Sequence, residues 1–274
     1  ECTQKGVLLN PATQSLRALY NDATVSLHVE SNGEWTVEKE NAEDEWYSFA
    51  KTSYNGTEDI IINLQENTGS SVLKSTFRIS SKAQEGTEPI VKIITLKQGN
   101  KAEAKRHSFV DSEWTITAGK PVFADGAVNF AYEGTNCRIS REGMKPGSYK
   151  FHISASSNDA QCQLYFLYGE KEIRWMLFKG EGENARCGTS DGGVIQYPFD
   201  NKKAEYTMEM NILEGDPSGS MKLEWHLDGA LLRSIPSYTG VAYGTNAQII
   251  LGVAKGTATY DWWEYTAPIE WGDE

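Results

Sequence analysis

The chain has 274 residues, 39% of them hydrophobic, with 38 acidic against 26 basic side chains and a net charge of −12. That is enough apolar material for real cores and, at about 100–200 residues per domain, for two of them, so wholesale disorder is excluded. The acidic balance argues against a nucleic-acid partner, which needs a basic footprint, and no apolar run reaches the roughly 18 residues that span a bilayer.

The chain opens Glu1-Cys2-Thr3-Gln4-Lys5-Gly6, followed by the apolar Val7-Leu8-Leu9. A cysteine in this place is similar to the start of a bacterial lipoprotein after signal removal, whose first residue carries lipid. Glu1 departs from that pattern. The resemblance implies a tether over residues 1–6, lipidation at Cys2 and a membrane contact made only through that anchor. The plainer alternative is a cysteine without a role.

Strand signals follow in series. Val7–Leu9 stops before Pro11, as an edge strand does. Val25, Leu27 and Val29 alternate, and Trp35–Val37 follows a Ser-Asn-Gly turn. Ile60–Ile62, Thr76–Ile79 and Val91–Leu96 complete the first half. Short runs separated by Gly, Asn and Ser clusters predict a sandwich, and no helix template of ten or more residues fits with caps at both ends. Residues 100–108 have no core pattern and read as a linker. Beyond it come Trp114–Thr117, Val128–Tyr132, Ser148–Ala155, Gln161–Tyr168, Ile173–Phe178, Tyr206–Leu213, Met221–Leu227, Ala247–Val253 and Thr257–Tyr265. These predict a larger two-sheet sandwich, a jelly roll, over 109–274. Cys137, Cys162 and Cys187 allow at most one disulfide, with the pairing open, and match no zinc-ligand spacing.

Residues 7–99 resemble the BACON family of immunoglobulin-like modules. The resemblance rests on Leu9-Asn10-Pro11, Trp35-Thr36-Val37, Trp46, the Gly56 turn, Glu66-Asn67, Lys74–Ile79 and the closing Leu96-Lys97-Gln98-Gly99. It implies a small sandwich in a secreted or lipid-anchored protein, acting as a spacer or in carbohydrate binding. The second half resembles concanavalin A-like, or laminin G-like, sandwiches. Here the matching features are the hairpin Leu223–Leu232 with Asp228-Gly229 at its turn, and Ile249–Gly252 leading into Tyr260–Tyr265. That superfamily includes lectins, glycan-binding modules, hydrolases and lyases, so the fold alone leaves function open.

Candidate chemistry sits in the second half. An indole offers a flat partner for the C–H face of a sugar, and polar side chains beside it grip hydroxyls. Trp262 and Trp263 are consecutive on an expected strand, so one should enter the core and the other should open outward. Strict alternation puts Tyr260 and Glu264 with Trp262, and Asp261 and Tyr265 with Trp263. Alternation likewise puts Glu209 and Asn211 on one polar strand face and Glu224 and His226 on another. If these faces belong to one sheet, they form a hydroxyl-binding surface. They would also meet the paired-carboxylate requirement of glycoside hydrolysis; a plain solvated face is the alternative. Arg186, in a glycine-rich stretch, would suit an acidic sugar. Gly188–Gly192 spells Gly-x-Ser-x-Gly but lacks the strand-before, helix-after context of a nucleophile elbow and reads as a loop. No cofactor is indicated; Asp111, Asp125, Asp228 and Asp261 are the candidates for a calcium site.

The expectation is therefore an all-β chain: a small immunoglobulin-like sandwich followed by a larger concanavalin A-like jelly-roll sandwich. Its expected role is binding polysaccharide or glycan at the cell envelope as an outer-membrane lipoprotein, with the membrane side undecided. A jelly-roll glycoside hydrolase or polysaccharide lyase is one alternative, although no catalytic signature appears. The other is a structural spacer meeting protein partners in the cell envelope.

Overall fold

The computed structural model describes residues 7–82, 88–180 and 184–272. Cys2, with its expected lipid and the 1–6 tether, lies outside the described residues. The chain is all-β and divides into two compact units. One runs to Ala102 and takes in the residues from Ile269 onward; the other is Glu103–Pro268.

The first unit contains β1 (Leu9–Pro11), β2 (Ser15–Ala18), β3 (Thr24–Ser31), β4 (Glu34–Lys39), β5 (Tyr47–Phe49), β6 (Ser53–Asn55), β7 (Glu58–Leu64), β8 (Leu73–Ser81) and β9 (Val91–Gln98). A four-stranded sheet, β1-β3-β7-β5, faces a five-stranded one, β2-β9-β8-β4-β6. Side chains alternate across each strand, so β3 buries Leu27, Val29 and Ser31 and exposes Ser26, His28 and Glu30. Trp35 anchors the core. Its ring stacks on Tyr54 at 4.2 Å, and its Nε1 donates to the Gly56 carbonyl at 2.8 Å. Gly56 sits at φ 75°, a turn conformation that costs glycine little.

This unit is closed by the far end of the chain. Ile269 packs so closely on Gly99 that a Cβ there would lie 2.7 Å from Ile269 Cδ1. The Arg17 guanidinium lies over the Trp271 ring, and the buried Lys97 donates from Nζ to the Gly272 carbonyl at 3.2 Å. Residues from Ile269 onward, expected in the larger domain, therefore belong to the smaller one.

The second unit contains β10 (Ala104–His107), β11 (Thr115–Ala118), β12 (Val122–Ala124), β13 (Ala127–Ala131), β14 (Cys137–Met144), β15 (Gly147–Ser154), β16 (Gln161–Tyr168), β17 (Lys171–Phe178), β18 (Asn184–Thr189), β19 (Gly193–Tyr197), β20 (Glu205–Glu214), β21 (Met221–Leu227), β22 (Ala230–Tyr238), β23 (Ala247–Val253) and β24 (Thr257–Thr266). The eight-stranded sheet runs β12-β13-β24-β15-β20-β21-β22, with β10 also on β24. The seven-stranded sheet runs β11-β14-β23-β16-β17-β18-β19. The chain passes repeatedly between the sheets, as the jelly-roll expectation required. One core joins them, and buried polar tips stitch it. Trp175 Nε1 donates to the Glu209 carbonyl (3.1 Å), Trp225 Nε1 to that of Arg174 (3.0 Å), and the Tyr260 hydroxyl to that of Gln163 (3.0 Å). Each bond satisfies a donor that burial would otherwise leave costly.

Three features differ from the expectation or complete it. The expected linker contains β10, whose missing apolar pattern has a simple cause: its inward residue is His107, stacked on Trp263 at 4.2 Å. Asp228-Gly229 forms the expected hairpin turn, with φ of 52° and 82°, and Asp125-Gly126 makes a second at 53° and 80°. Finally, Cys137, Cys162 and Cys187 are buried free thiols. Cys137 and Cys162 register with Val253 from opposite sides of β23, so about 9–10 Å separates their backbones, too far for a bridge. Cys162 and Cys187 are likewise two strands apart, with β17 between them. Burial pushes the thiols of Cys162 and Cys187 up to about 12, which keeps them unreactive.

The returning C-terminal segment gives a direct test. Ile269→Ala combined with Trp271→Ala should cost the first unit roughly 1–2 kcal/mol of apolar burial. Amide exchange should accelerate in Ser15–Ala18 and Val91–Gln98, with no change in Met221–Leu227. Unchanged exchange in those two strands would show that the tail is dispensable.

Candidate functional site

Strand pairing decides which polar side chains meet. On the eight-stranded sheet, Lys150 of β15 registers with Glu264 of β24 on one side and Glu209 of β20 on the other. Glu209 registers in turn with His226 of β21. The adjacent row joins Ser148, Asn211 and Glu224. The alternate residues Tyr149, Phe151, Met208, Met210, Leu223 and Trp225 fill the core, so the polar set is confined to the outer face. The structure thus brings Glu209, Asn211, Glu224 and His226 together on one sheet. Glu209 and Glu224 are diagonal neighbours across the β20–β21 pair.

These groups form a fixed network. Ser148 Oγ donates to Asn211 Oδ1 at 2.6 Å. Asn211 Nδ2 donates to Glu224 Oε2 at 3.4 Å and lies 3.3 Å from His226 Nε2. Lys222 Nζ is 2.7 Å from Glu224 Oε1, and Lys150 Nζ is 3.5 Å from Glu209 Oε2. Arg106, on β10, grips Glu264 Oε1 through Nε and Nη2 at 2.8 and 2.6 Å. Although they point away from the core, the side chains of Glu209, Glu224, His226 and Glu264 are only 15–19% exposed. Their cationic partners Arg106, Lys150 and Lys222 shield them and are themselves 40–60% exposed. Burial pushes the Glu224 carboxyl up, but hydrogen bonds from Lys222, Asn211 and His226 outweigh it and hold the group below its ordinary value.

At one end of this face stands Trp262, and here strict alternation fails. His152 pairs with Trp262 and Ile153 with Tyr260, which leaves Asp261 as the extra residue of a β-bulge. Tyr260 and Trp263 therefore both enter the core, while Asp261 and Trp262 both face outward. The bulge exchanges the expected sides of Tyr260 and Asp261; Glu264 stays with Trp262. Asp261 Oδ2 accepts from His152 Nδ1 at 2.8 Å and from Ser154 Oγ at 3.0 Å. Trp262 is not an open platform. The His152 ring stacks on it at 5.3 Å, and the Arg106 guanidinium lies 3.9 Å from its centre. Because β15 and β10 flank β24 on opposite sides, both planes of the indole are occupied. Trp263, at 3% exposure, offers nothing to solvent.

Arg186 is elsewhere. It lies on β18 of the seven-stranded sheet, on the far side of the core, with its guanidinium 4.0 Å from the Phe178 ring centre. Gly188–Gly192 is the end of β18 and the turn into β19, with no helix after it. Asp191 in that turn accepts from Lys171 at 2.9 Å, a bond that helps hold its carboxyl at about 2. The four aspartates considered for calcium are not gathered. Asp125 and Asp228 occupy turns at opposite edges of the eight-stranded sheet, and Asp261 holds His152. Among the described residues no group of three or more His, Cys, Asp or Glu is placed to hold a metal.

Ser148, Lys150, His152, Glu264 and Arg106 also belong to the face and were not candidates from sequence. β15 alternates visibly, but nothing local says that it lies between β20 and β24, and Arg106 lies on β10, which has no apolar pattern.

No protein-family profile matches the sequence, and no curated protein matches it. Several solved structures resemble part of the chain. Crh5 transglycosylase in complex with NAG is 14% identical with a TM-score of 0.46, covering 60% of this chain and 83% of that one. An endo-1,3-beta-glucanase from Streptomyces sioyaensis is 10% identical at 0.45, covering 58% and 91%. The carbohydrate binding module CBM66 from Bacillus subtilis is 15% identical at 0.40, covering 54% and 92%. At these identities the likeness concerns fold alone.

The lowered Glu224 pKa fixes the sign of a pH effect. Its contribution to stability is fully present above the ordinary value of 4.5 and is lost as pH falls through the folded pKa. Side-chain NMR titration should place the Glu224 midpoint below 4.5, and Glu224→Gln should flatten the acid limb of the stability curve. A midpoint above 4.5 would contradict the hydrogen-bond network.

Proposed function

We propose that the polar outer face of the eight-stranded sheet binds a polysaccharide or glycan. The observation that carries this reading is the row from Glu264 through Lys150 and Glu209 to His226, with Ser148, Asn211 and Glu224 beside it. Donors and acceptors alternate there at fixed positions, with the carboxylates partly shielded by their partners. Sugar hydroxyls are both donors and acceptors, so they complement such a row in a way an apolar ligand does not. Partial burial strengthens each hydrogen bond the ligand makes, because the groups compete less with water. Trp262, with its planes covered, acts as an end wall, and its edge and the Arg106 stem supply the apolar contact.

Binding fits this face better than hydrolysis. A general acid needs a carboxyl whose pKa is raised toward neutrality. Here Glu264 pairs with Arg106, Glu209 with Lys150 and Asp261 with His152, while Glu224 is held ionised by Lys222, Asn211 and His226. Each carboxylate is committed as an acceptor.

Affinity electrophoresis against plant, host and microbial glycans tests the reading. At least one glycan should retard the protein. Asn211→Ala and Glu224→Gln should each weaken that retention about tenfold, equivalent to about 1.4 kcal/mol, with no reducing ends released. A folded protein that no glycan retards would refute the proposal.

A further inference from the structure

The seven-stranded sheet carries a second feature, on the opposite outer face of the same sandwich. Arg138 of β14, Gly252 of β23, Gln163 of β16, Met176 of β17 and Arg186 of β18 are successive register partners. They form a straight row across five strands. Their sequence neighbours Cys137, Ile139, Cys162, Leu164, Trp175, Leu177, Ala185 and Cys187 are buried in the core, so the row points outward. The two arginines stand at its ends, four strand spacings or about 19 Å apart along the backbone.

The floor between them is low and uncharged. Gln163 is 5% exposed and Met176 9%, although both face out. Gly252 is required there, since a Cβ would lie 2.2 Å from the Cys137 carbonyl and 2.8 Å from Arg138 Cγ. Both arginines are held in the same manner. Arg138 donates from Nε to Gln163 Oε1 at 2.9 Å, with its guanidinium 5.8 Å from the Tyr165 ring centre. Arg186 donates from Nε to Asn184 Oδ1 at 2.7 Å and lies against Phe178. Among the described residues neither meets a carboxylate. By contrast Arg78, Arg106, Arg141 and Arg174 are each paired with a glutamate. In a chain of net charge −12, two guanidiniums positioned by their Nε and a ring, yet without a counter-charge, are conspicuous. The remaining Nη donors are the prongs that grip carboxylate or sulfate oxygens.

We infer that this row binds an acidic glycan, a sugar chain bearing carboxylate or sulfate groups. A small lone anion would reach one arginine only. A chain with separated oxyanions reaches both, and its neutral rings lie on the Gln163–Met176 floor beside Tyr165. Nucleic acid is disfavoured, because two arginines in this row, on a protein of net charge −12, are far from the basic footprint that a polyphosphate needs. The site is separate from the polar face of the other sheet and does not depend on it.

Affinity electrophoresis of the whole chain in polygalacturonate, dextran sulfate and plain dextran tests the inference. Polygalacturonate or dextran sulfate should retard the protein, and whichever acts names the anionic group. Arg138→Gln and Arg186→Gln should each weaken that retardation about fivefold, and the double variant should abolish it. Retardation should also fall as salt is raised. Arg78→Gln, which removes the same charge from the first unit, should leave it unchanged. Absence of retardation by both acidic polymers, or retardation that survives in the folded double variant or is lost in Arg78→Gln, would overturn the site. Because neither arginine touches the polar face of the eight-stranded sheet, retention of neutral glycans by the double variant keeps the two readings distinguishable.

Discussion

Every strand in the larger sandwich has one face committed to the core, and that commitment organises the rest. Trp175, Trp225 and Tyr260 reach across the core and bond to backbone carbonyls of the opposite sheet. Fixed in this way, the two sheets cannot slip by one residue without pushing polar side chains inward and apolar ones out. The polar residues of neighbouring strands are then obliged to meet on the outer faces. The network of Ser148, Asn211, Glu224 and His226 follows from packing on the other side of the same strands.

The two outer faces carry opposite electrostatic designs. On the eight-stranded sheet each carboxylate has a cationic or histidine partner, which leaves a largely internally paired surface with many hydrogen-bonding positions. On the seven-stranded sheet, Arg138 and Arg186 are fixed without a counter-charge. Salt therefore should act weakly on the first surface and strongly on the second, since screening matters most where net charge meets net charge.

Much of this was legible in the sequence where alternation is regular. β20 and β21 read correctly because Tyr206–Ile212 and Leu223–Leu227 alternate without interruption, and the Asp228-Gly229 turn fixed part of the register. The bulge at Asp261 was not legible, because Asp261-Trp262-Trp263 contains no glycine or other cue that two successive residues share a face. β10 was hidden because a histidine does the packing of an apolar residue there. Strand order was hidden altogether, so Lys150 and His152 could not be joined to Glu209 and Trp262. The return of Ile269 and Trp271 to the first unit was equally invisible, since Gly99 and Arg17, which receive them, are more than 150 residues away in sequence.

The central claim is that the polar outer face from β24 to β21 is where a sugar chain lies. Backbone hydrogen exchange, compared with and without a saturating retained neutral glycan, addresses it most directly. The account predicts slower exchange confined to Gly147–Ser154, Glu205–Glu214, Met221–Leu227 and Thr257–Thr266. Protection confined to the first unit, or to strands of the seven-stranded sheet, would contradict it.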